Sequence, residues 1–359
     1  MEKVVRTHRK LNVLVLGVGG NVSLGILKAL AVSSLDYRVV GACISKDSLG
    51  LYLCDTAYIS PYAEDKTFFE WLINICRQEK IDIVITGVEE IIDRIATDAE
   101  SFRSKTSSVF VFGGMEQLEI GRDKLKTCEW LKKNGCAFPL FAASEDHYGI
   151  DRLVSYCGFP LIAKPRIGKG SQAVRIINGL SELNAIHSAD NYVIEQYIGN
   201  EDSEYTIACY CDKAGRFVEL IIMKRSLYSG MTIKAEVVKN ETVRKAAVKI
   251  CEALHPVGPL NIQMRLNKEG KPICFELNVR FSGTTPMRAR FGFNDVEALI
   301  REHIFDEDIH SYFDVKDGCA YRYWNEFYID GEDYKTLHKY KKIDNVSRIG
   351  NYVDGYRSI

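Results

Sequence analysis

From residue 11 to residue 118, short unbroken apolar runs alternate with segments whose apolar residues recur at helical spacing. LNVLVLG (11–17) predicts a buried strand ending in glycine, 25–32 a helix, 37–44 a second strand and 58–59 a short third one. A helical pattern over 68–79, a buried strand at IDIVITG (81–87), a helix over 89–102 and a strand at VFVFGG (109–114) continue the series. Buried strands separated by helices predict a parallel sheet covered on both faces.

From residue 121 the texture changes. GRDKLKTCEWLKKNGCAFP (121–139) reads as a charged amphipathic helix stopped by Asn134-Gly135, with Asp123 and Lys124 at its first turn. The end of a helix at 153–157, a strand at LIAKP (161–165), a glycine loop at 168–171 and a return strand at 173–177 follow. A short strand at 191–199 leads into a turn, and a strand opens at Glu204. A hairpin at 213–215, a strand at 217–224 and a helix at 241–254 come next. Two strands, 260–266 and 271–279, flank the turn residues Asn267, Lys268, Glu269 and Gly270. A helix near 296–304, an aromatic-rich strand at CAYRYWNEFYI (319–329) and a polar end without an assignment complete the chain.

The 260–279 hairpin carries candidate chemistry. A two- or four-residue loop pairs Leu266 with Lys271, and so Gln263 with Cys274; alternation then puts Gln263, Glu276 and Asn278 on one face. One carboxylate and two amide carbonyls are all oxygen donors and suit Mg²⁺. Arg280, two residues further on that face, can hold an anion beside the metal. The same residues also fit a partly exposed sheet face with ordinary polar groups.

Bulk numbers narrow the field. With 359 residues the chain can bury a large core in two or three domains. Lys+Arg totals 47 and Asp+Glu 48, which gives no electrostatic footprint for nucleic acid or a membrane surface. No apolar run approaches the ~20 residues of a membrane span. The 11 cysteines include no C-x-x-C, so buried free thiols in a reducing compartment are expected, and with them a cytoplasmic protein.

Two glycine segments need weighing. Gly17-Val18-Gly19-Gly20-Asn21-Val22 has valine where G-x-G-x-x-G needs glycine, and Ser45-Lys46 stands where an acidic ribose reader belongs. A glycine turn packing strand against helix fits better than a dinucleotide site. Gly168, Lys169, Gly170 and Ser171 can close backbone N–H groups on phosphate, though no G-x-x-x-x-G-K-[ST] occurs and a strand follows. An innocent mobile turn fits that stretch equally.

The ordered set of D-K at a helix start, K-P ending a strand, a glycine loop, E-Q-Y-I, a further glutamate and N-x-Q…F-E-x-N-x-R resembles the ATP-grasp superfamily across roughly residues 11–305. The likeness is to the synthetase units of carbamoyl-phosphate synthase large subunits and their stand-alone relatives. The resemblance implies an α/β fold: a Rossmann-like pre-ATP-grasp domain (1–118) followed by a two-lobed α+β ATP-grasp domain. Its small lobe with the glycine loop would span 119–190 and its large lobe with the Mg/ATP site 191–310, leaving 311–359 as a C-terminal strand and tail. By the same resemblance, Lys124 and Lys164 contact ATP phosphates, and Gly168, Gly170 and Ser171 close over them. Glu195, Gln196, Tyr197 and Ile198 form the adenine hinge, and Glu204 takes the ribose hydroxyls. Gln263, Glu276 and Asn278 hold Mg²⁺ (or Mn²⁺), while Arg280 and Lys164 serve catalysis. Lys224, Arg225, Lys234, Arg288 and Arg290 are spare cations for a substrate carboxylate.

The implied activity is a ligase that activates a carboxylate as an acyl phosphate, joins it to an amine and releases ADP and phosphate. A small-molecule kinase and a single-unit carbamoyl-phosphate-synthase-like enzyme are the alternatives. The chain has room for only one synthetase unit and carries no glutaminase domain. A homodimer is a further expectation from the resemblance.

Overall fold

The computed structural model describes residues 9–168, 173–186, 191–199, 203–323 and 326–346. The first unit alternates as expected: β1 (Leu11–Leu16), α1 (Asn21–Leu30), β2 (Tyr37–Cys43), β3 (Thr56–Ile59), α2 (Phe68–Gln78), β4 (Ile83–Thr86), α3 (Glu89–Thr97), α4 (Ala99–Lys105) and β5 (Val109–Phe110). Strands β1 to β5 pair in parallel in the order β3-β2-β1-β4-β5, so the order reverses between β1 and β4. The single helix expected over 89–102 is two, because Asp98 leaves helical geometry at φ −104°, ψ 24°.

The glycine turn after β1 is a packing device. Gly17 has φ +71°, and a Cβ there would meet Val88 at 2.3 Å, so only glycine fits. Gly25, inside α1, has Pro286 2.8 Å from where its Cβ would stand. That contact brings α1 onto a helix from the far end of the chain.

After α5 (Met115–Arg122) and α6 (Lys124–Lys133), β6 (Phe141–Ala143), α7 (His147–Cys157), β7 (Leu161–Pro165), β8 (Arg175–Ile177), α8 (Leu180–Asn184) and β9 (Tyr192–Gln196) build a four-stranded sheet, β6-β9-β7-β8. The helix expected from 121 begins instead at Lys124, because the Asp123 side chain caps the Leu125 N–H and separates α6 from α5. A larger sheet follows from β10 (Glu204–Cys211), β11 (Phe217–Tyr228), β12 (Met231–Val237), β13 (Gly258–Leu266), β14 (Pro272–Asn278) and β15 (Cys319–Tyr321), in the order β14-β13-β10-β11-β12-β15. Helices α9 (Glu241–Leu254), α10 (Thr285–Arg290) and α11 (Asp295–Phe305) pack with it. Strand β12 was absent from the pattern reading, and the strand expected over 319–329 is reduced to β15.

The end of the chain divides between the units. β15 pairs with β12, whereas α12 (Gly331–Tyr340) leads into β16 (Lys342–Asp344), which adds antiparallel to β3 at the edge of the first sheet. One hydrophobic cluster runs from Leu11, Val13, Val15 and Ile26 to Met287, Phe293, Val296 and Ile300, joining the first sheet to α10 and α11. None of the 11 cysteines is in a disulfide, and most of them are buried. Among the described residues no helix is long and apolar enough to cross a membrane.

Arg288 lies wholly inside this junction. It pairs with Asp295 (2.5 and 3.2 Å), both side chains being 0 % exposed, and donates to Ser282 Oγ and Thr284 Oγ1. Burial raises the Asp295 pKa against the pull of the guanidinium. Breaking such a pair strands a charge and costs about 3–5 kcal/mol, while replacing both partners by apolar groups is far milder. We expect Arg288→Met to lower the unfolding free energy measured by urea titration by that amount and Arg288→Met/Asp295→Leu to recover most of it. A double variant no more stable than the single one would refute this account.

Candidate functional site

The cleft between the two ATP-grasp-like sheets has a cavity volume of about 220 Å³. Its walls bring together Lys124, Lys164, Gly168, Glu195, Gln196, Tyr197, Ile198, Glu204, Gln263 and Glu276 from the sequence-derived set. Gly170 and Ser171 fall outside the described residues.

From the small sheet, Lys164 near the end of β7 donates to Glu195 of β9 at 2.6 Å, and its Nζ stands 4.9 Å from the centroid of the Phe275 ring. Both side chains of this pair are buried. Lys124, at the start of α6, donates to the Gly168 carbonyl at 3.0 Å, and Asp123 beside it takes Arg166. That guanidinium holds the Asp123 carboxyl low against the opposing effect of burial, the largest cause acting on it. β9 ends at Gln196, so Tyr197 and Ile198 leave the ladder along the cleft wall.

From the large sheet, Glu204 at the start of β10 is 3 % exposed and held on both sides. Arg225 gives two hydrogen bonds to Oε1 (3.0 and 2.6 Å), and Arg265 gives two to Oε2 (2.9 and 2.7 Å). Burial alone would raise the Glu204 pKa; the two guanidinium groups more than reverse it and hold it low. Arg225 also donates to Gln263 Oε1 at 2.7 Å.

The register of β13 and β14 differs from the sequence expectation. Leu266 pairs with Pro272 and Met264 with Cys274, and a bulge then sets Gln263 directly opposite Glu276. Phe275 is the extra residue, and it lines the cleft together with Glu276. Asn278 donates to Glu276 Oε1 at 3.0 Å, which leaves its own carbonyl oxygen for another partner. Gln263 has its carbonyl committed to Arg225, so in this arrangement the oxygen donors are Glu276 and Asn278. Unlike Glu195 and Glu204, Glu276 meets no basic side chain among the described residues. An uncompensated carboxylate beside an amide carbonyl fits Mg²⁺, with water or phosphate oxygens at the other positions.

Asn278 is not among the cleft-lining residues, and neither is Arg280. Arg280 pairs with Glu89 of α3 (2.8 and 2.5 Å) and donates to the Phe281 carbonyl, so it links the strand carrying Glu276 to the first unit. Of the other cations, Arg288 is locked inside the core and Lys234 rests 5.7 Å from the Tyr321 ring centroid. Sequence reading missed Arg265 and Phe275. Arg265 was accessible by alternation, two residues after Gln263 on one face, whereas Phe275 enters the cleft only through the bulge.

Comparison with known proteins adds two matches along the chain. Residues 121–284 match the family model described as ATP-grasp domain, and residues 13–110 match the PylC-like N-terminal domain. The carbamoyl phosphate synthase large chain of Sulfolobus acidocaldarius is 24% identical over 273 residues, covering 70% of this chain and 25% of its own length. N5-carboxyaminoimidazole ribonucleotide synthase of Staphylococcus epidermidis is 21% identical over 272 residues, covering 74% of this chain and 69% of its own. The chain thus spans about a quarter of the carbamoyl phosphate synthase large chain it matches.

Two solved structures share the fold. The ADP complex of N5-carboxyaminoimidazole synthetase from Staphylococcus aureus has a TM-score of 0.64 at 18% identity, covering 81% of this chain and 76% of that one. The biotin carboxylase domain dimer of Hydrogenobacter thermophilus 2-oxoglutarate carboxylase, with MgADP, ADP and bicarbonate, has a TM-score of 0.66 at 15% identity. It covers 82% of this chain and 70% of that one.

The Glu204 clamp has a measurable signature. A carboxylate whose folded pKa is depressed adds stability above its unfolded value of about 4.3, and that stability is lost as pH falls through the folded value. We expect Glu204→Gln to cost about 3 kcal/mol at pH 7 by leaving two guanidinium groups unpaired, with the gap from wild type narrowing below about pH 4. A gap that stays constant down to pH 3 would sink the assignment.

Proposed function

Since residues 121–284 match the ATP-grasp domain and residues 13–110 the PylC-like N-terminal domain, we propose that the chain is an ATP- and Mg²⁺-dependent ligase that joins a carboxylate to an amine and releases ADP and phosphate. The carrying observation is Glu276: a carboxylate with no basic partner among the described residues, in a cleft where Lys164, Arg225 and Arg265 are each paired with another carboxylate.

In this reading Lys124 and Lys164 neutralise the nucleotide phosphates, with Glu195 orienting the Lys164 ammonium. Gly168, Gly170 and Ser171 close over the phosphates, and the stretch from Glu195 through Gln196 and Tyr197 to Ile198 offers backbone groups to adenine. Glu276 and Asn278 would hold Mg²⁺, and the ion would supply positive charge beside the transferring phosphoryl group. Gln263 joins them only if Arg225 lets go of its carbonyl, and Glu204 reaches a ribose only if it exchanges a guanidinium for hydroxyl donors. We assign Arg280 to the acyl phosphate side, where its exchange from Glu89 to a substrate anion keeps the charge compensated. Phosphoryl transfer needs position and neutralisation more than covalent help from the protein, so these residue types suffice. The acyl phosphate is labile to water, and a closed cleft protects it until the amine attacks.

The test is nucleotide product analysis with Mg-ATP and pools of small acids and amines. ADP and phosphate are expected only with acid and amine together, and Glu276→Gln should cost at least ~100-fold in turnover while remaining folded. ADP with a stable phosphorylated acceptor would mark a kinase instead. AMP and pyrophosphate, or a folded Glu276→Gln protein at near wild-type rate, would overturn the proposal.

A further inference from the structure

Arg322 follows β15 and reaches across to the first unit. It donates to Asn21 Oδ1 and to the Gly283 carbonyl, both at 2.7 Å. Both acceptors are neutral. Arg225, Arg265, Arg280, Arg288 and Arg301 each meet a carboxylate; Arg322 meets none among the described residues. It is half-buried, and loss of solvent lowers its pKa below the usual arginine value with no anion to oppose the shift. Holding a guanidinium partly out of water without a counter-charge is unfavourable, and an incoming oxyanion removes that penalty.

Its surroundings favour the same ligand. Asn21 opens α1, whose first turn carries no acidic residue and whose N-cap, Gly20, has no side chain to satisfy the helix N–H groups. The first sheet reverses its strand order between β1 and β4, and the crevice beyond the strand ends at such a reversal is where open α/β sheets take ligands. Gly283 approaches so closely that a Cβ there would lie 2.7 Å from Asn21 Nδ2, which fixes the two acceptors of Arg322 relative to each other. Arg322 does not line the cleft between the two sheets.

We propose that Arg322, together with the Asn21 end of α1, binds an oxyanion, a carboxylate or a phosphate, of the substrate other than the nucleotide, and so determines which substrates the chain accepts. The reference to a second substrate rests on the ATP-dependent ligase reading above; the anion site itself does not.

Thermal unfolding with added phosphate or acetate, against chloride at equal ionic strength, tests this on the whole chain with Mg-ADP present to occupy the cleft. Wild type should show a saturable rise in Tm with at least one of the two anions, and which one distinguishes a phosphate from a carboxylate ligand. Arg322→Gln should weaken that anion's binding at least ~10-fold, as expected for loss of a charge-assisted hydrogen bond. Asn21→Asp, which supplies the missing carboxylate internally, should be at least as stable as wild type in chloride and lose the anion response. Wild type answering no anion beyond chloride, an adventitious response that both variants keep in full, or either variant alone responding like wild type would overturn the proposal. If Mg-ADP shifts none of the proteins, the nucleotide reading fails by itself, and the anion comparison still decides.

Discussion

Lys124, Lys164, Arg225 and Arg265 project into one cleft, and cations gathered in a medium drier than water repel one another strongly. Two buried carboxylates make the arrangement tenable. Glu195, at the point where β9 pairs with β6 on one side and β7 on the other, takes Lys164. Glu204, where β10 lies between β11 and β13, takes both arginines. Each acid sits on a central strand of its sheet, so the same charge compensation that keeps the cations apart ties neighbouring strands together. Lys124, held by the Gly168 carbonyl, and Glu276, on an edge strand where a bulge sets it opposite Gln263, are left outside that compensation.

The alternation of buried strands and helices before residue 118 was readable because parallel strands covered on both faces are apolar throughout. The long amphipathic helix α9 matched its expected span, with Asn240 capping it. The site was readable as residue types at family spacing, and the cleft gathers most of them. Three things were hidden, each for a physical reason. A bulge shifts register without leaving a mark in the residue pattern, so Gln263 faces Glu276 and not Cys274. Ion pairs between distant strands, such as Arg265 with Glu204, depend on which strands become neighbours. A three-residue strand such as β16 is too short for any periodicity to announce it.

The junction of the two units has the character of an interior. Gly25 admits Pro286, Ser34 donates to Glu297, and the cluster around Ile26 and Phe293 passes from one sheet's helix layer into the other's. The texture change near residue 118 separates the units by composition, but the apolar core crosses it. Arg280 and Arg322 then cross the junction, Arg280 paired with Glu89 and Arg322 meeting, among the described residues, only the neutral acceptors Asn21 and Gly283. Relative motion between units would have to break packed core, so ligand-driven movement is more easily accommodated by the small four-stranded lobe, which has its own cluster around Leu153 and Ile194.

Strand β16 has a consequence in time. Thr56 and Asp344, 288 residues apart in the chain, hydrogen-bond at 2.7 Å where β16 covers the outer edge of β3. During synthesis at ~5–20 residues per second, the first sheet emerges and can fold long before that covering strand exists. For that interval β3 offers its edge N–H and C=O groups to any extended segment nearby, including another nascent chain. Thr56, Ala57 and Tyr58 therefore mark an edge that stays open to mispairing on the polysome until β16 arrives to cover it.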